Sequence, residues 1–429
     1  MPSHLTLLSP LRPPCSTRTW LSAPHPTLPL LATASSDRTV RVYSLTSFTL
    51  LSTISGGHKR SIRTCAWKPG TKGESVLATG SFDASAGIWR KWERGSSGLV
   101  RDPDDIDGGG DYDGGEDEED EYNFSVLLDG HDSEIKSVAW SSGGQYLATC
   151  SRDKTVWIWE ELEDDNFETI AVLNEHEGDV KFVCWHPSED LLASSSYDDT
   201  VRLYKEDLDD WTAVACLSGH EGTVWCVDFE GDKPRVGLKD GKELSEEQKK
   251  FIEERERSGP RLASSSDDMT IRIWRRRTRE GQNGTSSHDR IPSILKSNSI
   301  EEDWYEEAQL PKTHDRAIYA VSWSKKSGLI VSTGSDGKIL VYQERWKSPK
   351  ETTESHSPGA ESMDVDKLSI STATEWVIIA EVEGAHDVFE VNHVNWARRY
   401  DRGRRNDEEE VIITTGDDGE VKVWTLDHD

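Results

Sequence analysis

The chain contains 429 residues, with 80 Asp and Glu against 50 Lys and Arg, which gives a formal net charge of −30. A chain this acidic repels phosphate, so its charge argues against nucleic acid and anionic membrane surfaces as partners. No stretch approaches the roughly 18 consecutive apolar residues of a membrane span. The apolar run from Leu5 to Leu8 is too short for a signal peptide. These features predict a cytoplasmic protein, with the nucleus as a second expected location.

Seven copies of one pattern follow each other along the chain, and the clearest copy runs from Gly130-His131 through Ser151-Arg152-Asp153-Lys154-Thr155 to Trp159. In chain order, the turn aspartates are Asp37, Asp83, Asp153, Asp198, Asp268, Asp336 and Asp418. A closing aromatic residue lies six positions after each aspartate: Tyr43, Trp89, Trp159, Tyr204, Trp274, Tyr342 and Trp424. Six copies also carry an upstream histidine: His58, His131, His176, His220, His314 and His386. Seven copies of this WD40 signature predict an all-β fold, a seven-bladed WD40 β-propeller that spans 1–429 as a single domain.

The order of strands within each copy predicts how the ring closes. Each outermost strand precedes the next histidine, and only five residues follow Trp424, too few for a last strand. A spare apolar strand, Leu5-Thr6-Leu7-Leu8, precedes the first copy. We therefore expect the N-terminal strand to complete the last blade, which would leave no open sheet edge.

Five insertions interrupt the repeats, and all are expected to be solvated loops or disordered segments. They are 90–122, 231–259, 275–303, 343–375 and 397–410. Residues 102–122 hold twelve Asp or Glu and no Lys or Arg, a composition typical of disorder. Ser245-Glu246-Glu247-Gln248 reads as a capping box that opens a short charged helix through about Glu256.

The repeated polar residues resemble catalytic dyads, but a structural role explains them better. The upstream histidine, a Ser or Thr of the second strand, the turn aspartate and the closing tryptophan can form a buried hydrogen-bonded chain. The six histidines and seven aspartates named above are therefore expected to be structural. None of the six cysteines forms a C-x-x-C pair, so we expect reduced thiols and no metal or cofactor.

Function is expected on the face of the ring to which two positions per blade point: the residue before the turn aspartate and one early in the innermost strand. Four cations gather there on blades two to four: Arg63, Lys136, Arg152 and Lys181. Five aromatic residues flank them: Trp20, Phe82, Tyr197, Trp225 and Tyr319. This pattern favours an anionic ligand with a flat apolar group, such as an acidic or C-terminal peptide with an aromatic residue.

Two segments carry a more specific resemblance: Cys150-Ser151-Arg152-Asp153-Lys154-Thr155-Val156-Trp157-Ile158-Trp159 and Ala193-Ser194-Ser195-Ser196-Tyr197-Asp198-Asp199-Thr200-Val201. They resemble the WD40 family of cytosolic iron–sulfur protein assembly, the propeller subunit of its targeting complex. The resemblance implies a scaffold that docks apoprotein clients, a DUF59-type assembly protein and a HEAT-repeat scaffold. It also places the family's top-face arginine at Arg152 and implies a propeller that is monomeric outside the complex. The first blade departs from the pattern, since it lacks its histidine and reads Pro24-His25-Pro26 where a tryptophan is expected.

Two other functions remain open at this point. A phosphodegron-reading adaptor of a ubiquitin ligase would also use an Arg- and Lys-rich face, although the sequence shows no ligase-docking segment. An enzyme would need a nucleophile with its base, a metal set or a phosphate-binding glycine loop. Gly108-Gly109-Gly110 lies in an acidic segment that would repel phosphate.

Overall fold

The computed structural model describes residues 3–92, 121–162, 166–207, 210–236, 244–278, 301–347 and 373–428. These residues form seven four-stranded antiparallel sheets and one helix, a seven-bladed propeller as the repeats predict. No helix among the described residues is long and apolar enough to cross a membrane.

The strands follow the repeats in chain order. The chain begins with β1 (Ser3–Pro10), and blade one contains β2 (Thr19–Pro24), β3 (Leu30–Ser35), β4 (Val40–Ser44) and β5 (Leu50–Ile54). Blade two contains β6 (Ile62–Trp67), β7 (Glu74–Ser81), β8 (Ser85–Trp92) and β9 (Asn123–Asp129). Blade three contains β10 (Ile135–Trp140), β11 (Tyr146–Ser151), β12 (Val156–Glu161) and β13 (Phe167–Leu173). Blade four contains β14 (Val180–Trp185), β15 (Leu191–Ser196), β16 (Val201–Asp207) and β17 (Asp210–Leu217).

The last three blades complete the ring. Blade five contains β18 (Val224–Phe229), β19 (Leu262–Ser266), β20 (Ile271–Arg276) and β21 (Trp304–Gln309), with helix α1 (Glu246–Ser258) between β18 and β19. Blade six contains β22 (Ile318–Trp323), β23 (Ile330–Gly334), β24 (Ile339–Trp346) and β25 (Thr374–Val382). Blade seven contains β26 (Val391–Arg398), β27 (Glu410–Gly416), β28 (Val421–His428) and β1.

The N-terminal strand closes the last blade, so the predicted ring closure is confirmed. Strand β1 pairs antiparallel with β28, from Ser3 opposite His428 to Pro10 opposite Lys422. Leu5 and Leu426 pack against the core between blades six and seven. Because the two ends of the chain share one sheet, neither strand is left as an open edge there.

Apolar side chains fill the space between neighbouring blades. In the cluster between blades four and five, Leu203 is packed together with Val227 and Phe229, and all three are fully buried. Strand β15 reads Leu-Leu-Ala-Ser-Ser-Ser and is buried along its whole length. Small side chains on the second strand let the sheets approach closely near the axis of the ring.

The two faces of the ring differ in their connections. The histidine loops lead into the first strands, and the turn aspartates lie between the second and third strands, so both lie on one face, which we call the top. The connections between strands one and two and between strands three and four lie on the opposite face, the bottom. All long connections join strands at their bottom ends; they are 93–122, 230–261, 277–303, 347–373 and 399–409. The connections between strand ends on the top, all within the described residues, are short.

The insertions are shorter than expected, because several of their residues belong to the fold. Strand β8 continues to Trp92, and Arg275 and Arg276 belong to β20. Tyr122, at the end of the acidic insertion, is buried and lies 6.0 Å from Trp67 between ring centroids. The rest of the acidic insertion, 93–120, lies outside the described residues, as do 279–300 and 348–372. In the insertion 397–410, Arg399 is buried and paired with Asp401 and Glu409.

Helix α1 confirms the predicted capping box, since the Ser245 hydroxyl accepts a hydrogen bond from the backbone N–H of Gln248, and the Gln248 side-chain oxygen accepts one from the backbone N–H of Ser245. The expectation of a solvated segment is wrong here. Phe251, Arg255 and Ser258 are buried, and the Phe251 ring lies 5.2 Å from Trp346 of blade six. The apolar and charged contacts of one helix face hold the insertion against blades five and six.

A buried ion network underlies this docking. Glu307 accepts two hydrogen bonds of 2.7 Å from Arg255, one of 2.8 Å from Arg261 and one of 3.2 Å from Arg275. Glu344 of blade six accepts from Arg255 at 3.1 Å and from Arg261 at 2.8 Å. Glu230 accepts from Arg261 at 2.8 and 2.9 Å. Three arginines thus face three glutamates across two blades and the helix.

Candidate protein-docking face

Each top-face turn is held by a chain of hydrogen bonds, shown here for blade three. Trp159 donates to the Thr149 hydroxyl at 3.0 Å, and that hydroxyl lies 2.9 Å from Nε2 of His131. Nδ1 of His131 lies 2.8 Å from the carboxylate of Asp153. All these groups are satisfied when the hydroxyl donates to Nε2 and Nδ1–H donates to the carboxylate. This chain of hydrogen bonds fixes the conformation of the turn that contains Arg152.

The carboxylate of Asp153 is strongly stabilised in its charged form. Burial raises its pKa, but hydrogen bonds from His131 and Thr155 outweigh burial and hold the pKa below the usual range. Lys154 follows with a φ of 74°, so the turn passes through a left-handed conformation. The backbone amides of Asp132 and Thr155 also donate to Asp153, at 3.0 and 2.9 Å. These contacts make the turn rigid.

Five further blades repeat this geometry, with His Nδ1 within 3.3 Å of the turn carboxylate. The pairs are His58 with Asp83, His176 with Asp198, His220 with Asp268, His314 with Asp336 and His386 with Asp418. Blade one, which lacks the histidine, uses other groups. Its Asp37 accepts from Arg41 at 2.7 Å and lies 3.4 Å from the thiol of Cys15.

The nine top-face residues singled out in the sequence form one continuous arc. On its first half, the guanidinium of Arg63 lies 5.0 Å from the Trp20 ring. The Trp20 ring lies 6.0 Å from Phe82, and the ammonium of Lys136 lies 4.5 Å from the Phe82 ring. Trp20 also donates to Ser61 at 2.9 Å.

The second half of the arc runs over blades four to six. The ammonium of Lys181 lies 5.3 Å from the Tyr197 ring and 5.1 Å from the Trp225 ring. Trp225 meets Tyr319 edge to face at 5.2 Å. Tyr197 is 63% exposed and therefore offers most of its ring to a ligand.

Arg152 joins the arc through carboxylates. Its guanidinium lies 3.4 Å from Glu134 and 3.9 Å from Asp179, and its side chain is 58% exposed. Asp179 also lies 3.4 Å from Lys181. Two acidic neighbours therefore already offset the charge of Arg152.

Several top-face residues were missed by the sequence argument. Arg18 lies 4.6 Å from the Trp20 ring, and Arg60 lies 5.9 Å from the Phe82 ring. Acidic partners are interleaved with the arc: Asp267 accepts from Trp225 at 2.6 Å, and Glu390 accepts from Tyr319 at 3.2 Å. Arg60 could have been found from its place two residues after His58 in the histidine loop, and Asp267 from its place before the turn aspartate Asp268. Glu390 comes from the loop before β26 of the neighbouring blade.

Burial also lowers the pKa values of the cations at the axis of the ring. Desolvation lowers the pKa of Arg63 to about 10, and the charge of Arg18 lowers it as well. Burial lowers the pKa of Lys136; Glu134 opposes this shift, while Arg63 and Lys181 add to it. Below them, burial lowers the pKa of His393 to about 3. Cations thus gather above a neutral channel.

The axial channel contains thiols. Cys65, Cys184 and Cys226 line a cavity of about 350 Å³ that also includes Phe182 and His393. Burial raises the pKa of all three thiols, so they are protonated at neutral pH. Among the described residues, no three His, Cys, Asp or Glu side chains are arranged to hold a metal ion.

Comparison with known proteins agrees with this architecture. The family described as WD domain, G-beta repeat matches residues 19–44, 123–160, 167–205, 256–275 and 307–343. A protein of Phaeosphaeria nodorum is 60% identical over 99% of this chain and 97% of its own length. A protein of Aspergillus terreus is 59% identical over 99% of each chain, and one of Aspergillus flavus is 56% identical over 99% of this chain and 98% of its own. All three are named probable cytosolic iron-sulfur protein assembly protein 1.

Identity at this level extends over nearly the whole length of each chain. The chain therefore belongs to the family of cytosolic iron-sulfur protein assembly protein 1, a family of WD40 propellers.

Proposed function

We propose that this protein is a non-enzymatic scaffold of the cytosolic iron–sulfur protein assembly machinery and that it docks apoproteins for cluster insertion. The names of its relatives support the machinery and the cytosol. The fold supports the scaffold role, since a propeller presents two broad faces and buries its polar repeats in structural hydrogen bonds.

The observation that carries the docking role is the arc of cations and aromatic rings on the top. The protein has a net charge of −30, yet Arg63, Lys136 and Lys181 converge at one face, each against an aromatic ring. Such a surface fits a peptide with a carboxylate and a flat apolar group, because the cations attract the anion and the exposed rings cover the apolar part. Client tails that end in an aromatic residue have this chemistry.

The other partners of the complex need a different surface. A DUF59-type assembly protein and a HEAT-repeat scaffold would occupy the sides or the bottom, while the client occupies the top. Helix α1, which is docked between two bottom strand ends of blade five, is suited to such a lasting contact. We propose cytoplasmic action, with the nucleus as a second place where apoproteins are matured.

The client site is tested by binding of a labelled client C-terminal peptide to the wild type, Arg152→Glu and Trp225→Ala. Charge reversal at Arg152 would place a third carboxylate beside Glu134 and Asp179, so we expect binding to weaken at least about tenfold. Trp225→Ala should also weaken binding, with less dependence on salt, because it removes apolar contact.

The matched control is Arg316→Glu, which reverses an exposed arginine of the blade-six histidine loop on the same face. It should bind within about threefold of the wild type, since single rim charges contribute little. Circular dichroism verifies that each variant is folded. If both site variants bind the peptide as the wild type does, the top face is not the client site.

The proposed role in iron–sulfur protein assembly is tested separately by purifying the tagged protein and identifying the proteins that co-elute with it. Iron–sulfur apoproteins and a HEAT-repeat scaffold are the expected partners. Ubiquitin-ligase subunits instead, together with a preference for phosphorylated peptides on the top face, would replace this proposal with the degron-reader function.

A further inference from the structure

Arg63 is a cation at the axial end of the top face, and the described structure gives it no counter-charge. Arg63 lies near the start of β6, the innermost strand of blade two, and its charge lowers the pKa of His393, which lines the axial cavity, so its side chain lies near the axis of the ring. Within the described parts of the chain, its guanidinium makes no hydrogen bond and no ion pair. The guanidinium carbon lies 5.0 Å from the centre of the Trp20 ring.

Three other arginines of this face lie beside carboxylates. Arg18 pairs with Asp417, Arg60 lies 3.6 Å from Glu134, and Arg152 lies 3.4 Å from Glu134. Lys136 resembles Arg63, since it contacts the Phe82 ring and has no carboxylate within 4.0 Å in the described structure. Lys181 is half-neutralised by Asp179 at 3.4 Å.

The surroundings of Arg63 raise the free energy of its charged form when no ligand is bound. A guanidinium taken out of water is stabilised only when carboxylates or other acceptors replace the lost hydration. Here the neighbours are the like charges of Lys136 and Arg18, and the channel beneath holds the aromatic ring of Phe182 and a neutral His393. Unfavourable arrangements of this kind are retained at binding sites, where the ligand removes the penalty.

We infer that the top mouth of the axial channel is a carboxylate-binding site in which Arg63 is the principal partner and Lys136 and Lys181 flank the anion. Arg152 then acts from the rim, since Glu134 and Asp179 already occupy it. The inference rests on the proposed docking of an acidic peptide only for the identity of the ligand. The carboxylate comes either from the end of the peptide or from an acidic side chain.

The first test needs no peptide. Arg63→Met removes the charge but keeps a long apolar side chain, and we expect its melting temperature to equal or exceed that of the wild type. Citrate, compared with chloride at equal ionic strength, should raise the melting temperature of the wild type and of Arg316→Met more than that of Arg63→Met. Equal stabilisation of the wild type and Arg63→Met by citrate would overturn the inference, as would a marked loss of stability in Arg63→Met, which would indicate a structural arginine.

The second test uses a labelled octapeptide with two glutamates and a C-terminal phenylalanine. Arg63→Met should weaken its binding at least about tenfold and Arg152→Met by about threefold or less. Two altered peptides show which carboxylate is bound: one has a C-terminal amide, and the other has glutamine in place of both glutamates. When the peptide lacks the carboxylate that Arg63 binds, Arg63→Met should weaken its binding less than it weakens binding of the original peptide. A larger effect at Arg152 than at Arg63 would overturn the assignment.

The two tests separate this inference from the proposed function. If the wild type binds no peptide but citrate stabilisation depends on Arg63, the anion site stands and the docked ligand is a different carboxylate. If the peptide binds equally well to Arg63→Met and to the wild type, docking on the top stands and the axial site is wrong.

Discussion

The buried ion network predicts that Glu307→Gln is strongly destabilising. Glu307 receives hydrogen bonds from Arg255, Arg261 and Arg275, and its own side chain is 11% exposed, while Arg255 and Arg261 are 1% exposed. Removing its charge leaves three buried arginines against Glu230 and Glu344. Breaking a buried pair on one side costs about 3–5 kcal/mol, because a charge is left uncompensated. Glutamine keeps one carbonyl acceptor, so we expect a loss of about 3 kcal/mol in the free energy of unfolding.

The assay is equilibrium urea unfolding at neutral pH, followed by the fluorescence of the 17 tryptophans. The double variant Arg255→Met/Glu307→Gln restores the balance of two arginines and two glutamates, so its loss should fall short of the sum of the single losses by about 1 kcal/mol or more. Lys249→Met provides a surface control, since its pair with Glu246 has exposed side chains of 52% and 90% and should contribute less than about 0.5 kcal/mol. A Glu307→Gln loss as small as that of Lys249→Met, or strictly additive losses in the double variant, would refute the network as a cooperative unit.

Two further predictions concern ring closure and pH. Deleting residues 1–9 removes nearly all of β1 and leaves β28 as an open edge, so we expect aggregation or a large fall in melting temperature; an unchanged melting curve would show that β1 does not hold the ring. The pKa values of Glu307, Asp153 and Asp198 lie below their usual range in the folded protein, so the unfolded chain binds more protons in mild acid. Their contribution to stability is therefore complete above the ordinary carboxyl pKa values, near about pH 5. It declines below them and is lost as the pH falls through the lowered pKa values of the folded protein. Urea unfolding between about pH 7 and about pH 3 should show this decline, with a shallower slope in Glu307→Gln; stability independent of pH over that range would contradict it.

Much of the fold follows from the sequence because the repeat is local. A turn aspartate six residues before a closing aromatic residue, with a histidine upstream, requires one supersecondary unit, and seven such units must stack to bury their faces. Ring closure also follows from the sequence, since a count of strands shows that the last blade lacks one and that Leu5 to Leu8 can supply it. The positions that point to the top could be predicted for the same reason, because one directly precedes the turn aspartate and the other follows the upstream histidine by five residues in five of the blades.

The insertions show where local patterns stop being informative. The capping box of α1 is visible in the sequence, yet the helix was expected in solvent. Its charged residues predict exposure to solvent, but Arg255 is buried because it pairs with Glu307 and Glu344, which lie 52 and 89 residues further along the chain. Charge patterns predict exposure only when no distant partner supplies the opposite charge.

The sequence by itself determined the number of blades, the closing strand and the face on which cations and aromatic residues gather, because each depends on spacing within about forty residues. The tertiary structure alone decided which of those cations are free. Arg152 and Arg63 occupy the two top-facing positions of the repeat. The histidine loops of blades three and four bring Glu134 and Asp179 to Arg152, whereas no carboxylate of the described structure pairs with Arg63. In blade one, likewise, Cys15 and Arg41 partner the turn aspartate Asp37 where the other blades use a histidine. The strength of a charge at a protein surface depends on its neighbours in space, which the order of residues along one blade does not specify.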